Sequence, residues 1–191
     1  MSLWKKLVAG ISSATARDVI LDSATHALII ADKNEHMEHT GERFIYYDVQ
    51  QNLASGGVMM VAMHTPNTTK WVHLDFAISA NRKTHFEFVQ NPTIHATGSD
   101  ENGLNYNRNH STGSNMIIYS GVSATDVGTV VWLYEQNVGA TGLGGGGVGG
   151  GDDFNHFILK QDATYLLKAE AQDADDTINM HLTWCECVDK N

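Results

Sequence analysis

The sequence predicts an all-β chain, a jelly-roll-like two-sheet β-sandwich with an N-terminal arm, and three observations carry that expectation. The first is alternation. From Trp71 to Ser79, Val72, Leu74, Phe76 and Ile78 are apolar while His73, Asp75 and Ser79 are polar, the period of two of a half-buried strand. The closing segment repeats it, with Ile178, Met180, Leu182 and Trp184 interleaved with Asn179, His181 and Thr183. The second is punctuation: 18 glycines against two prolines, with short apolar runs between turns, favour strands over helices. The third is spacing, since about nine or ten short strands without a convincing long helix suit a sandwich or jelly roll. At 191 residues, 42% of them hydrophobic, the chain can bury a substantial single core.

Taken in order, residues 1–18 (MSLWKKLVAGISSATARD) read as an arm with helical character, in which Leu3, Trp4, Leu7 and Val8 share one face. The apolar run Leu7 to Ile11 is shorter than the roughly 7–15 residues of a secretory signal core. Residues 19–191 read as one sandwich domain. Val19 to Leu21 and Leu28 to Ile30 are short strand candidates, and the polar stretch with His36 and His39 reads as a loop because Asn34 and Gly41 flank it. Strands follow at Glu42 to Val49, Val58 to His64, Trp71 to Ser79 and Thr84 to Gln90, the last two expected to form a hairpin across the turn Ala80 to Lys83. That hairpin would carry the Asn-rich loop NYNRNHSTGSN, Asn105 to Asn115. Further strands are expected in NMIIYS, Thr129 to Glu135, FNHFILK, Thr164 to Ala171 and the closing run. Between Gly121 and Gly128 the chain reads as a turn-rich link, and residues 139–151 as a flexible glycine-rich loop within the domain.

Several chemistries are argued against by the residues themselves. A net charge of −10 opposes general nucleic-acid affinity, which rests on neutralising phosphates. No segment approaches the ~18 apolar residues of a membrane helix. Gly151 is followed by Asp152 and Asp153 rather than Lys and a hydroxyl, so the glycine run is not a phosphate loop. The ten histidines include no HxH pair, and His36-x-x-His39 lacks the HExxH order of a zinc peptidase. Asp173, Asp175 and Asp176 lack the DxDxDG order of a calcium loop and read as a solvated turn. Cys185 and Cys187 lie on one strand face; bridging them would strain the backbone, and two Cys alone do not complete a metal site. The expectation is therefore no enzyme, no cofactor, no metal and no catalytic residue.

An ordered set of weak motifs remains: His36-x-x-His39, TPNTTKWVH (Thr65 to His73), NPTIHATG (Asn91 to Gly98), NYNRN (Asn105 to Asn109), SNM (Ser114 to Met116), the glycine-rich loop, FILKQDATYLLKAEA and a last strand ending at Trp184. Together, over roughly residues 26–186, they resemble the β-sandwich virion proteins of tailed bacteriophages, the head decoration or capsid cement family. Where that family tends to run Trp-Tyr-Glu, this chain has Trp184-Cys185-Glu186. The resemblance implies a structural protein made in the host cytoplasm and carried on the outer surface of the capsid. It would be a homotrimer whose partner is the major capsid protein, with neither nucleic acid nor membrane bound. From the residues, Leu3, Trp4 and Leu7 of the arm and Tyr106, Arg108 and Asn109 of the Asn-rich loop are the candidate interface. The alternative is a trimeric tail- or fibre-associated protein that binds a host glycan through exposed aromatic and amide groups.

Overall fold

The computed structural model describes residues 33–96, 98–126, 128–137, 146–148 and 156–188. Contacts divide the chain into two units, Met1–His36 and Met37–Asn191. Of the first, only the backbone of 33–36 is described, as the opening of helix α1 (Lys33–Thr40); the sandwich belongs to the second. The arm and the strand candidates at Val19 to Leu21 and Leu28 to Ile30 lie outside the described residues. So do residues 139–145 and 149–151 of the glycine-rich loop.

The sandwich is a long antiparallel ribbon wrapped on itself. Its first half is β1 (Arg43–Leu53), β2 (Val58–His64), β3 (Trp71–Ala80) and β4 (Thr84–Gln90). Between the halves come five shorter strands, β5 (Thr93–Ala96), β6 (Ser99–Glu101), β7 (Leu104–Asn105), β8 (Ile117–Ser120) and β9 (Ser123–Asp126). The second half is β10 (Thr129–Gln136), β11 (Gly146–Val148), β12 (His156–Leu159), β13 (Thr164–Ala171) and β14 (Asp176–Cys187). Successive strands of one half pair with strands of the other in reverse order: β1 with β14, β2 with β13, β3 with β12, and β4 with β10. Wrapping adds β14 beside β3 and β13 beside β4. The result is one sheet with the principal order β12-β3-β14-β1 and a second with β10-β4-β13-β2, the doubly wound arrangement of a jelly roll. Strands β11 and β7 extend the first sheet, and β8 and β6 the second.

The expected hairpin of β3 and β4 is absent. These strands lie in different sheets, and the turn between them carries the chain across the core. Phe76 and Phe88 therefore meet across the core from opposite sheets, their rings tilted by 50° with centroids 5.3 Å apart, rather than as neighbours in one sheet. Alternation marks which face is buried, but it does not say whether the next strand joins the same sheet. At the crossing, the Asn81 side-chain oxygen accepts from Thr177 N at 2.8 Å, and buried Asp176 accepts from Thr84 Oγ1 at 2.6 Å and Arg82 N at 3.1 Å. So the reading of a solvated acidic turn holds for exposed Asp173 and Asp175 and fails for Asp176.

Core residues come from the inward positions of both sheets, including Phe44, Leu74, Phe76, Phe86, Phe88, Leu167, Met180 and Trp184. Burying each such side chain contributes roughly 1.5–3 kcal/mol. A second, smaller cluster sits on the outer face of the second sheet. There the two-stranded ribbon β5-β9 covers Ala62, Val89 and Leu166, with Val122 buried among them. The Gly121 to Gly128 link thus contains a strand, and Gly146–Val148 of the glycine run pairs with Ile78 to Ala80 of β3. Among the described residues no helix is long and apolar enough to cross a membrane.

Helix α1 replaces the loop expected around His36 and His39. Gly41, at φ 73°, ends it. Gly41 N donates to Glu38 O at 3.2 Å and Glu42 N to Met37 O at 3.0 Å, the paired bonds of a Schellman C-cap. The glycine that argued for a loop is the helix stop.

Candidate interaction surface

The Asn-rich segment runs from the end of β7 to the start of β8, and its polar side chains turn inward on their own backbone. Asn105 is buried; its amide donates to Gly41 O at 2.9 Å and Thr112 O at 3.0 Å, and its Oδ1 accepts from Asn107 N at 2.9 Å. Asn107 repeats the move, its Oδ1 accepting from Asn109 N at 3.1 Å while its carbonyl accepts from His110 N at 2.9 Å. These are Asx turns, in which a short amide side chain stands in for a missing ladder. The His110 ring packs so closely on Gly41 that a Cβ there would overlap it. Loop and helix cap therefore fit only with glycine.

The other end of the loop is held by Glu186, 2% exposed. Its Oε1 accepts from Ser114 Oγ at 2.6 Å, Asn115 N at 2.8 Å and Met116 N at 3.1 Å, and its Oε2 from the Asn115 amide at 2.6 Å. Ser114 Oγ accepts from Trp184 Nε1 at 3.2 Å, which ties the clamp to the core where Trp184 stacks on Phe44. A buried carboxylate with this many donors is satisfied; stripped of them it would be costly. Gly103 lies against the Trp184 indole with no room for a side chain.

What the loop turns outward is Tyr106, Arg108 and Asn109. Tyr106 is 45% exposed; its N–H donates to Arg43 O at 2.9 Å, and the Arg43 guanidinium lies 5.0 Å from its ring centroid, a cation–π contact. Arg43 is itself anchored on Glu38 at 2.6 Å. Arg108 and Asn109 are exposed, and Arg108 has no hydrogen bond or ion pair among the described residues. Beside them, exposed Leu104 and Tyr47 (68% exposed) stand at the β7-β1 edge of the first sheet. The structure thus brings Tyr106, Arg108 and Asn109 onto one braced loop, while Leu3, Trp4 and Leu7 lie outside the described residues.

A second polar array occupies the outer face of the second sheet. His85 bridges Glu135 and Glu87, and Lys168 lies 3.2 Å from Glu87 and 3.3 Å from Glu170. Burial alone would lower the His85 pKa, but its hydrogen bonds to Glu135 and Glu87 outweigh that and raise it. Burial works to raise the Glu87 pKa, and its bonds from His85 and Lys168 bring it below the ordinary value. Between the sheets, burial and the Asp48 carboxylate push the Tyr46 phenol up to about 12. No three His, Cys, Asp or Glu side chains gather into a metal-holding group among the described residues; the His36 side chain is outside them.

Sequence reasoning missed the residues that hold the surface in place: Asn105, Glu186, Gly41 and Arg43. For Glu186 a signal exists. Ile178, Met180, Leu182 and Trp184 set the inward phase of β14, and the next inward position is Glu186. Asp176 occupies the same phase at the other end. A carboxylate in the apolar phase must find donors, and both do. Comparison of the chain with family models, with curated proteins and with solved structures returns no match.

Proposed function

We propose that this chain is a non-enzymatic structural protein of a tailed-bacteriophage virion. In this reading it decorates the outer surface of the head as a homotrimer and cements contacts between major capsid subunits. One observation carries it: a loop that uses its amides and a buried carboxylate for internal bracing, and presents an aromatic ring, a guanidinium and an amide outward. Such bracing removes much of the ordering cost of binding beforehand. Tyr and Arg are the side chains that most often anchor protein interfaces. A jelly roll by itself hosts many functions, so the proposal rests on the braced loop and on the motif order. A protein that binds only the assembled shell stabilises it by mass action.

The test is binding to purified shells that lack this protein. Tyr106→Ala combined with Arg108→Ala should leave the fold intact and cut occupancy at least tenfold, about 1.4 kcal/mol. Removing residues 1–18 should weaken attachment further, the arm being the second expected contact. Occupancy unchanged in both variants would defeat the proposal for this surface.

A further inference from the structure

Cys185 and Cys187 project from the outer side of β14, opposite to Trp184 and Glu186. Cys185 is buried and Cys187 half-buried; their sulfurs stand 2.6 Å apart, and Met37 Sδ of α1 lies 3.6 Å from Cys187 Sγ. The two thiols face each other on one side of the strand. Across two residues of strand the Cα atoms are separated by about 6.4–6.8 Å, at the upper end of the ~4.4–6.8 Å that a disulfide spans. Closing the bond toward the usual spacing of about 5.5–6 Å draws the two Cα atoms together, and the residue between them is Glu186.

We propose that Cys185 and Cys187 form a reversible dithiol–disulfide switch that acts on the loop through Glu186. The oxidant is a small disulfide such as oxidised glutathione. The Cys187 thiolate, the more accessible of the two, attacks one glutathione sulfur and expels a first glutathione thiolate. Cys185 then attacks Cys187 Sγ and expels the second. Two protein thiols are oxidised, one glutathione disulfide is reduced, and the two thiol protons pass to the released glutathiones. Drawing the strand inward at Glu186 displaces both its backbone N–H, which donates to Glu42 O at 3.0 Å, and the carboxylate that holds Ser114, Asn115 and Met116. A disulfide that strains its strand is easily reduced again, as a switch requires. The inference holds whatever the loop binds.

The experiment uses the full chain at pH 8, with oxidised glutathione followed by alkylation of remaining thiols and intact mass measurement. The expected product has lost two hydrogens and both alkylation sites, and dithiothreitol restores them. Amide exchange in residues 105–116 should become about tenfold faster on oxidation, and a Cys185→Ser, Cys187→Ser protein should show no change with oxidant. Accumulation of a glutathione adduct on Cys187 without ring closure would overturn the switch. So would a disulfide that leaves exchange in 105–116 unaltered. A one-to-one cuprous complex that blocks oxidation would overturn it too, assigning the three sulfurs to metal instead.

Discussion

The loop of residues 105–116 and the outer face of the second sheet are both polar, yet they are built on opposite terms. In the loop, neutral amides and backbone groups converge on one buried carboxylate, Glu186. On the sheet face, Glu135, His85, Glu87, Lys168 and Glu170 form a charged ladder across three strands, partly open to water. Buried hydrogen bonds fix geometry because breaking one leaves a group unsatisfied. The ladder's outer members, Glu135 and Glu170, are 44% and 35% exposed, and pairs that reach water in this way are screened and contribute little. The first arrangement positions a surface; the second tunes and solubilises one.

Breaking the loop's clamp should have the largest effect. Glu186→Ala strips Asn115 N and the Asn115 amide of their acceptor and leaves Met116 N and the Ser114 hydroxyl to donate only to each other's residue, and should cost on the order of 3 kcal/mol. In thermal melts of a chain this size that is a fall in Tm of roughly 6–12 °C. Gly41→Ala comes next, at about 1–2 kcal/mol for the left-handed backbone, with an added cost where the new methyl meets the His110 ring. Exposure of His110 to chemical modification should rise in that variant.

The ladder should yield a smaller and pH-dependent loss. His85 carries a pKa raised above its ordinary 6.5 in the folded chain. Its pairing with Glu135 and Glu87 therefore stabilises fully below pH 6.5 and fades as pH rises through the raised value. Glu135 is well exposed, so His85→Gln should cost under about 1 kcal/mol at pH 5.5 and less still at pH 8.5, read as the gap between melting curves. A gap that widened with pH would contradict the assignment. Arg108→Ala should be the mildest for stability, within about 0.5 kcal/mol, while still reducing attachment to shells.

Legibility followed periodicity. The segments 58–64, 84–90 and 164–171 read as strands from short apolar runs bounded by turn residues, and they are strands with those bounds. The two-sheet sandwich followed from their number and spacing. Sheet membership did not, because β3 and β4 present identical patterns whether they pair or arch across the core. The short strands β5, β6, β7 and β9 were invisible because two to four residues carry no period. At the candidate surface, exposed Tyr106, Arg108 and Asn109 were legible as polar loop residues. Their neighbours Asn105 and Asn107 look the same in sequence but serve as internal scaffold, a distinction set by contacts with Thr112 across the loop and with Gly41 and His39 elsewhere in the chain.

The copy number of this chain per purified virion, measured against the major shell protein, tests the central proposal most directly. A decoration or cement protein predicts hundreds of copies in fixed proportion to the shell. A dozen or fewer copies, or none, would contradict it.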